Sequence, residues 1–178
     1  NPKNRRLRSS ALVERIGPNG RTVVAIDCGP DFREQMLMAR VAHLDAVVLT
    51  HPHADHIHGM DDLRGYMLTQ KSRIPVHSDH STHARVLEAF RYCFETPAGS
   101  AYPPVARHVE ISAGESFSVD GAGGKLSFAP FRQEHGSIHS LGYRIGPLAY
   151  CSDVSDFPGA AIEAVAGAQH IVIDALQY

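Results

Sequence analysis

A chain of 178 residues with 43% hydrophobic content can bury one ordinary core, so a single domain over residues 1–178 is expected. A formal net charge of -2 provides no global basic field for nucleic acid; no apolar run approaches the length of a membrane span, and the first residues lack a signal-peptide core. The three cysteines, Cys28, Cys93 and Cys151, are far apart with no CxxC pair, which argues against a disulfide scaffold or a cysteine zinc site and suits a reducing cytoplasm.

The chain opens on a basic run, Lys3, Arg5, Arg6 and Arg8, which reads as a solvated terminus. Residues 9–16 and 21–27 read as strands joined by Pro18-Asn19-Gly20, and Asn-Gly between two such runs is a strong hairpin signal. Asp27 ends the second strand. Residues 32–40 have helical spacing, with Phe32, Met36 and Ala39 on one face. The β-branched run Ala46-Val47-Val48-Leu49 then reads as a buried strand that stops at Thr50.

Directly after it come His51, His53, Asp55 and His56, followed by Gly59. Imidazole and carboxylate are ligands for borderline divalent metals such as zinc or manganese, and a strand end is where α/β proteins put their sites. His51 and His53, two apart on extended chain, can point the same way. Asp55 and His56 follow one turn later and can face a neighbouring position. Four ligand-type side chains exceed what one tetrahedral ion with an open site takes, so the spacing suits two metals side by side.

Residues 60–69 read as a short helix whose first turn, with Asp61 and Asp62, suits the helix dipole. Residues 74–77 read as a strand, and Ser78 or Asp79 as the cap of a helix running to about Phe94, with Val86, Leu87, Phe90 and Phe94 inward. His77, His80 and His83 read as a surface helix start, because no carboxylate or cysteine follows at motif spacing. Residues 96–104, rich in Pro, Gly and Ser, have the composition of a loop or lid. Strands are expected at 108–112, 115–119, 125–133, 141–145 and 148–151, a helix at 156–166 and a buried strand at 170–174. This order reads as an α/β layered domain with a mixed sheet. Two more strand ends carry ligand-type residues: His135, after the strand around 128–131, and Asp153, after 148–151. Strand ends on one edge of a sheet can converge on a single site.

The order Asp27, then His51-x-His53-x-Asp55-His56, then His135, then Asp153 resembles the successive motifs of the metallo-β-lactamase superfamily. The resemblance implies an αββα sandwich with mixed sheets and a metal-dependent hydrolase with two divalent ions, zinc or manganese. Asp27 would support the histidine loop. One metal would take His51, His53, His135 and Asp153, and the other Asp55, His56 and the bridging Asp153. The family's last motif, a histidine near the C-terminus, has no match, so the chain is expected to stop short of the C-terminal part of the fold.

The words Asp27-Cys28-Gly29-Pro30-Asp31-Phe32-Arg33, His56-Ile57-His58-Gly59-Met60-Asp61-Asp62-Leu63-Arg64 and Tyr150-Cys151-Ser152-Asp153 resemble one branch, the PhnP-type phosphodiesterases. Those cleave a five-membered cyclic phosphate of ribose. Their N-terminal zinc-binding cysteines have no counterpart here, since no Cys precedes Cys28. The ribonuclease Z branch shares the histidine run but carries a tRNA-gripping arm, and no insertion of that kind is visible.

The implied reaction is attack of a metal-bridging hydroxide on a small, cyclic phosphodiester, with Asp153 bridging the ions and Asp55 orienting the nucleophile. Arg33, Arg64 and Arg132 are candidate phosphate contacts, and Asp61 or Asp62 a candidate partner of a ligand imidazole. The alternatives are a ribonuclease Z-like tRNA-processing nuclease, a thioester or lactone hydrolase, and a metal-binding interaction domain without turnover. The expected partner is a small phosphorylated substrate rather than nucleic acid or a membrane, in the cytoplasm. With the C-terminal part of the fold missing, the apolar strand at 170–174 is expected to lie exposed in this chain and to favour pairing into a homodimer.

Overall fold

The chain reverses at Pro18 and Asn19 between β1 (Ala11–Gly17) and β2 (Gly20–Ile26), and Gly20 carries the positive φ of 135° on which this tight turn closes. Thr22 to Ile26 are all buried, the pattern of a strand covered on both faces. The structure is a computed structural model that describes residues 6–174. Its contacts divide into two units, one formed by the chain up to Glu14 with Val23–Val109, the other by Arg15–Thr22 with the chain from Glu110 on.

The first sheet has the order β1-β2-β3-β4-β5, with β3 at Ala46–Val48, β4 at Ile74–Ser78 and β5 at Ala106–Glu110. β2 and β3 are parallel with Ile26 opposite Val48, and β3 and β4 are parallel with Val48 opposite His77. The two-residue turn makes β1 antiparallel to β2, so the sheet is mixed. Parallel neighbours finish at the same end, and Asp27 and Thr50 therefore leave β2 and β3 side by side.

The helices of this unit are α1 (Phe32–Met38), α2 (Ala54–Ile57), α3 (Leu63–Gln70) and α4 (His80–Phe94), with a 3-10 turn at Met60–Asp62. Asp79 caps α4 by accepting from the Thr82 N–H at 2.8 Å. Phe32, Leu44, Val47, Leu49, Met60, Leu63, Ile74, Val76 and Val86 share one core cluster, each at 1% exposure or less. Full burial of such a side chain stabilises by roughly 1.5–3 kcal/mol, which is what holds α1, α3 and α4 to the sheet. The helix read at 60–69 is thus a 3-10 turn followed by α3, and α2, within the histidine loop, is an element the hydrophobic pattern did not announce.

The second sheet has the order β10-β9-β8-β7-β6, with β6 at Phe117–Val119, β7 at Leu126–His135, β8 at Ile138–Ile145, β9 at Leu148–Cys151 and β10 at His170–Ile173. β6 to β9 pair antiparallel, and β9 and β10 pair parallel across α5 (Gly159–Val165), the crossover a parallel pair needs. Ala161 of α5 packs with Phe131, Ala149 and Cys151. One expectation changes here. His135 does not follow its strand but ends it, opposite Ile138 across a tight turn at Gly136, whose φ is 59°. Among the described residues β10 is an edge strand with Ile171, Val172 and Ile173 exposed, the uncovered apolar strand expected for this chain. Among the described residues no helix is long and apolar enough to cross a membrane.

Candidate metal centre

Asp27 is fully buried and holds a φ of 65°, a left-handed conformation uncommon outside glycine. Its carboxylate is held by Thr50, just past the neighbouring strand, and by the histidine loop. Oδ1 accepts from the Thr50 N–H at 2.8 Å, and Oδ2 from the Thr50 hydroxyl at 2.9 Å and from His56 Nδ1 at 2.7 Å. The Thr50 hydroxyl, having given its proton to Asp27, accepts from His51 Nδ1 at 2.9 Å. A carboxylate and an already-donating hydroxyl can only accept, so both imidazoles carry a proton on Nδ1, and in the neutral form each keeps the Nε2 lone pair.

Those lone pairs have ligand-type neighbours. His51 Nε2 lies 3.1 Å from His53 Nδ1, and His56 Nε2 lies 3.6 Å from Asp55 Oδ2. His51 and His56 are buried, whereas His53 and Asp55 are exposed, so this loop has an inner and an outer row of ligand atoms. α2 produces that division: His53 precedes it in extended conformation, and the helical turn sets Asp55 and His56 to different sides.

In the second unit, His135 Nε2 lies 3.7 Å from Asp153 Oδ2. Asp153 follows β9 with a φ of 28°, and its other oxygen, Oδ1, accepts from the Ser152 hydroxyl at 3.1 Å. Beneath it runs a buried polar net. Gln133 Nε2 donates to Ser140 Oγ at 3.1 Å and to the Ser152 carbonyl at 2.9 Å, and Ser140 Oγ donates to the Asp153 carbonyl at 3.0 Å.

Two ligand atoms on one tetrahedral ion, at bond lengths of about 2.0–2.2 Å, stand roughly 3.3–3.6 Å apart. The pairs His51–His53, His56–Asp55 and His135–Asp153 all fall near that spacing, and the donor types are those of zinc and manganese sites. The residues present therefore fit divalent metal. The first unit brings together His51, His53, Asp55 and His56 on the Asp27 support, and the second brings together His135 and Asp153.

Backbone packing keeps the loop in place. Cys28 N–H donates to the His56 carbonyl and Gly59 N–H to the Cys28 carbonyl, both at 2.8 Å. A Cβ on Gly59 would stand 2.1 Å from the Gly29 carbonyl oxygen, and one on Gly29 2.0 Å from that of Asp55, so only glycine permits this approach.

The remaining sequence candidates sit elsewhere. Arg33, Asp61, Asp62 and Arg64 line a recess of about 550 Å³ alongside α1 and α3 residues, where Asp61 pairs with Arg64 at 3.2 Å and burial pushes the Asp62 carboxyl up. Arg132 pairs with Glu134 at 3.0 Å. His77 is buried in β4 rather than exposed at a helix start, and His83 stacks on His108 with ring centres 3.5 Å apart. Thr50, Gln133, Ser140 and Ser152 were not singled out in sequence. Gln133 and Ser140 give one signal, a polar residue at a strand position that the pattern makes buried, whereas Thr50 and Ser152 lie past the ends of β3 and β9 and give none.

The family model described as Beta-lactamase superfamily domain matches residues 22–178. A protein of Porphyromonas gingivalis named octanoyltransferase is 33% identical over 177 residues, 98% of this chain and 34% of its own length. A ribonuclease Z of Archaeoglobus fulgidus is 33% identical over 122 residues, 67% of this chain and 37% of its own. A solved structure of a diphosphatase from the PhnP family superposes with a TM-score of 0.80 at 32% identity, over 96% of this chain and 61% of that one. The chain thus spans about a third of the length of these curated relatives. By the extent of the family match and by its fold of two mixed sheets with few helices, this chain belongs to the metallo-β-lactamase superfamily.

Proposed function

We propose that this chain is the metal-binding part of a metal-dependent hydrolase acting on small phosphodiesters, cyclic phosphates ahead of RNA. The observation that carries the reading is the paired anchoring of His51 and His56 on Thr50 and Asp27, which leaves Nε2 of each beside another ligand atom. His51, His53, His135 and Asp153 would hold one divalent ion, zinc or manganese, and Asp55, His56 and Asp153 a second. Such ions supply Lewis acidity toward a phosphoryl oxygen and make water a stronger acid.

The chain's own groups do the rest. Asp27 and Thr50 keep the proton on Nδ1 of two histidines and fix the ring planes. Ser152 holds one oxygen of Asp153 and leaves the other toward His135. Asp55, exposed at the loop surface, is the carboxylate placed to orient an incoming water. The diphosphatase and ribonuclease names of two relatives support a phosphorus-centred substrate. The octanoyltransferase name belongs to a protein of which 34% is matched, and the match does not locate that activity. A net charge of -2 suits a small phosphorylated substrate better than a long polyanion, which calls for a basic track. Three buried free thiols fit a reducing cytoplasm, and the exposed edge strand β10 fits pairing with a second copy.

The test is a substrate panel on protein loaded with zinc or manganese: a ribosyl cyclic phosphate, a 2′,3′-cyclic nucleotide, a nucleoside diphosphate, a precursor tRNA, a thioester and a lactone. Cyclic phosphodiesters should turn over fastest, and His53→Ala and Asp153→Ala should lose both metal and activity with an unchanged circular dichroism spectrum. Faster turnover of the precursor tRNA would replace this reading with the ribonuclease Z-like one. Turnover of the thioester or lactone alone would remove the phosphodiester assignment.

A further inference from the structure

Between α4 and β5 the chain forms a loop whose ends are tied together. The Val105 N–H donates to the Cys93 carbonyl at 2.8 Å, and inside the loop Ser100 N–H donates to the Pro97 carbonyl at 3.0 Å and Tyr102 N–H to Ser100 Oγ at 3.1 Å. This loop, the end of α4 and Arg64 of α3 enclose a recess of about 340 Å³ lined by Arg64, Tyr92, Pro97, Ser100, Tyr102 and Pro103. That volume suits a small organic ligand.

The lining narrows the ligand's chemistry. Two phenol rings and two pyrrolidine rings give flat faces, and Tyr92 and Tyr102 are 42% and 75% exposed, open to an incoming partner. No Leu, Ile, Val or Met lines the recess, so it is not shaped for an aliphatic chain. Its one cation, Arg64, is already paired with Asp61 at 3.2 Å, so it does not act as a bare anion site. The pairing holds the guanidinium in place, from where it can donate hydrogen bonds or lie against a π face. The Tyr92 phenol shares a hydrogen bond with Cys93 and, with burial foremost, is pushed up to about 12, so it is held in place and uncharged. Flat faces, fixed donors and no net charge match a heteroaromatic ring with acceptor atoms on its edge.

We propose that this recess binds the base of a nucleoside phosphate by stacking on Tyr102 and Tyr92, with Arg64 and Ser100 meeting its polar edge. The inference deepens the phosphodiesterase reading and rests on it only for the phosphate: it makes the substrate a nucleotide rather than a bare ribosyl phosphate.

The chain has six Tyr and no Trp, and two of the six, Tyr92 and Tyr102, line this recess, so a share of the tyrosine fluorescence reports on it. Adenosine titrated into the metal-free protein should quench it saturably, and ribose should not. Tyr102→Ala should weaken adenosine binding about tenfold or more, as loss of a base-stacking ring does, while Tyr102→Phe, which keeps the ring, should stay close to the parent. In metal-loaded protein Tyr102→Ala should raise KM for a 2′,3′-cyclic nucleotide and leave that for a ribosyl cyclic phosphate unchanged. Absence of saturable adenosine binding, or equal binding by Tyr102→Ala, overturns the proposal even if phosphodiesters are hydrolysed. A Tyr102-dependent adenosine site in a protein without phosphodiesterase activity keeps the recess and removes the reaction. A trinucleotide binding far tighter than adenosine overturns the mononucleotide assignment in favour of single-stranded RNA.

Discussion

Asp27 Oδ2 and His56 Nδ1 lie 2.7 Å apart and join the end of β2 to the innermost part of the histidine loop. The aspartate reaches that position from a left-handed backbone, at a φ of 65°, and its three hydrogen bonds to Thr50 and His56 are what hold the strained residue there. Asp27→Ala should strand buried donors at a cost of roughly 1–3 kcal/mol each and lower the melting temperature. Asp27→Asn, which tolerates the left-handed conformation, should keep the fold but lose metal affinity about 10–100-fold. Competition titration with a chromophoric chelator and thermal melts separate the two effects. Parental zinc affinity in Asp27→Asn would show that this carboxylate does not tune the site.

Thr50 relays the same support to a second ligand, since its hydroxyl donates to Asp27 and accepts from His51. Thr50→Ser keeps the hydroxyl and should behave like the parent. Thr50→Val keeps the shape, leaves the Nδ1 proton of His51 without its acceptor, and should weaken metal binding at least tenfold. Equal stoichiometry and affinity in the serine and valine variants would rule out the relay.

Much of this arrangement was legible in local sequence. Asn19-Gly20 announced the first hairpin, Asp79 the start of α4, and the run from His51 to His56 the ligand loop. What stayed hidden depended on partners distant in the chain. His83 reads as a solvated helix residue, yet it stacks on His108, brought to it by β5. Residues 170–173 read as a strand made to be covered because they are apolar, and the strand order supplies what the sequence does not, a parallel pairing with β9. α2 is a single turn, too short for helical periodicity to register, although it divides the ligands between inner and outer rows. The left-handed backbones of Asp27 and Asp153 leave no compositional trace, because neither residue is a glycine.

Glycine contrasts offer a stability test. Gly59 and Gly29 touch through backbone, and Gly59→Ala would drive a methyl to 2.1 Å from the Gly29 carbonyl oxygen. The loop would have to separate from Cys28, breaking the hydrogen bonds to His56 and Gly59, so a loss of several kcal/mol is expected. Gly65, inside α3, has nothing within 4 Å of an added Cβ. Gly65→Ala should therefore stabilise by roughly 0.5–1 kcal/mol through helix propensity. Urea unfolding midpoints of the two variants should move in opposite directions; an unchanged or raised midpoint for Gly59→Ala would contradict the close approach of the loop to Cys28 and Gly29.

His77 makes the fold sensitive to acid away from the ligands. Its side chain is buried in β4, and burial, followed by the charges of Arg107 and His108, pushes its imidazole down to about 4. The folded state therefore resists a proton that the unfolded chain accepts near pH 6.5. Stability is full above that value, falls as pH drops because the unfolded state alone gains the proton, and stops falling through this group once the folded imidazole titrates near 4. Between pH 7 and 4.5 the difference amounts to about 2–3 kcal/mol. Metal binding is itself pH-dependent, so the comparison belongs in metal-free protein. There the parent should lose that much more stability on acidification than His77→Gln, whose side chain does not titrate. Parallel pH profiles for parent and variant, read from urea midpoints, would mean that the native imidazole takes up its proton as readily as the unfolded chain does and that β4 accommodates the charge.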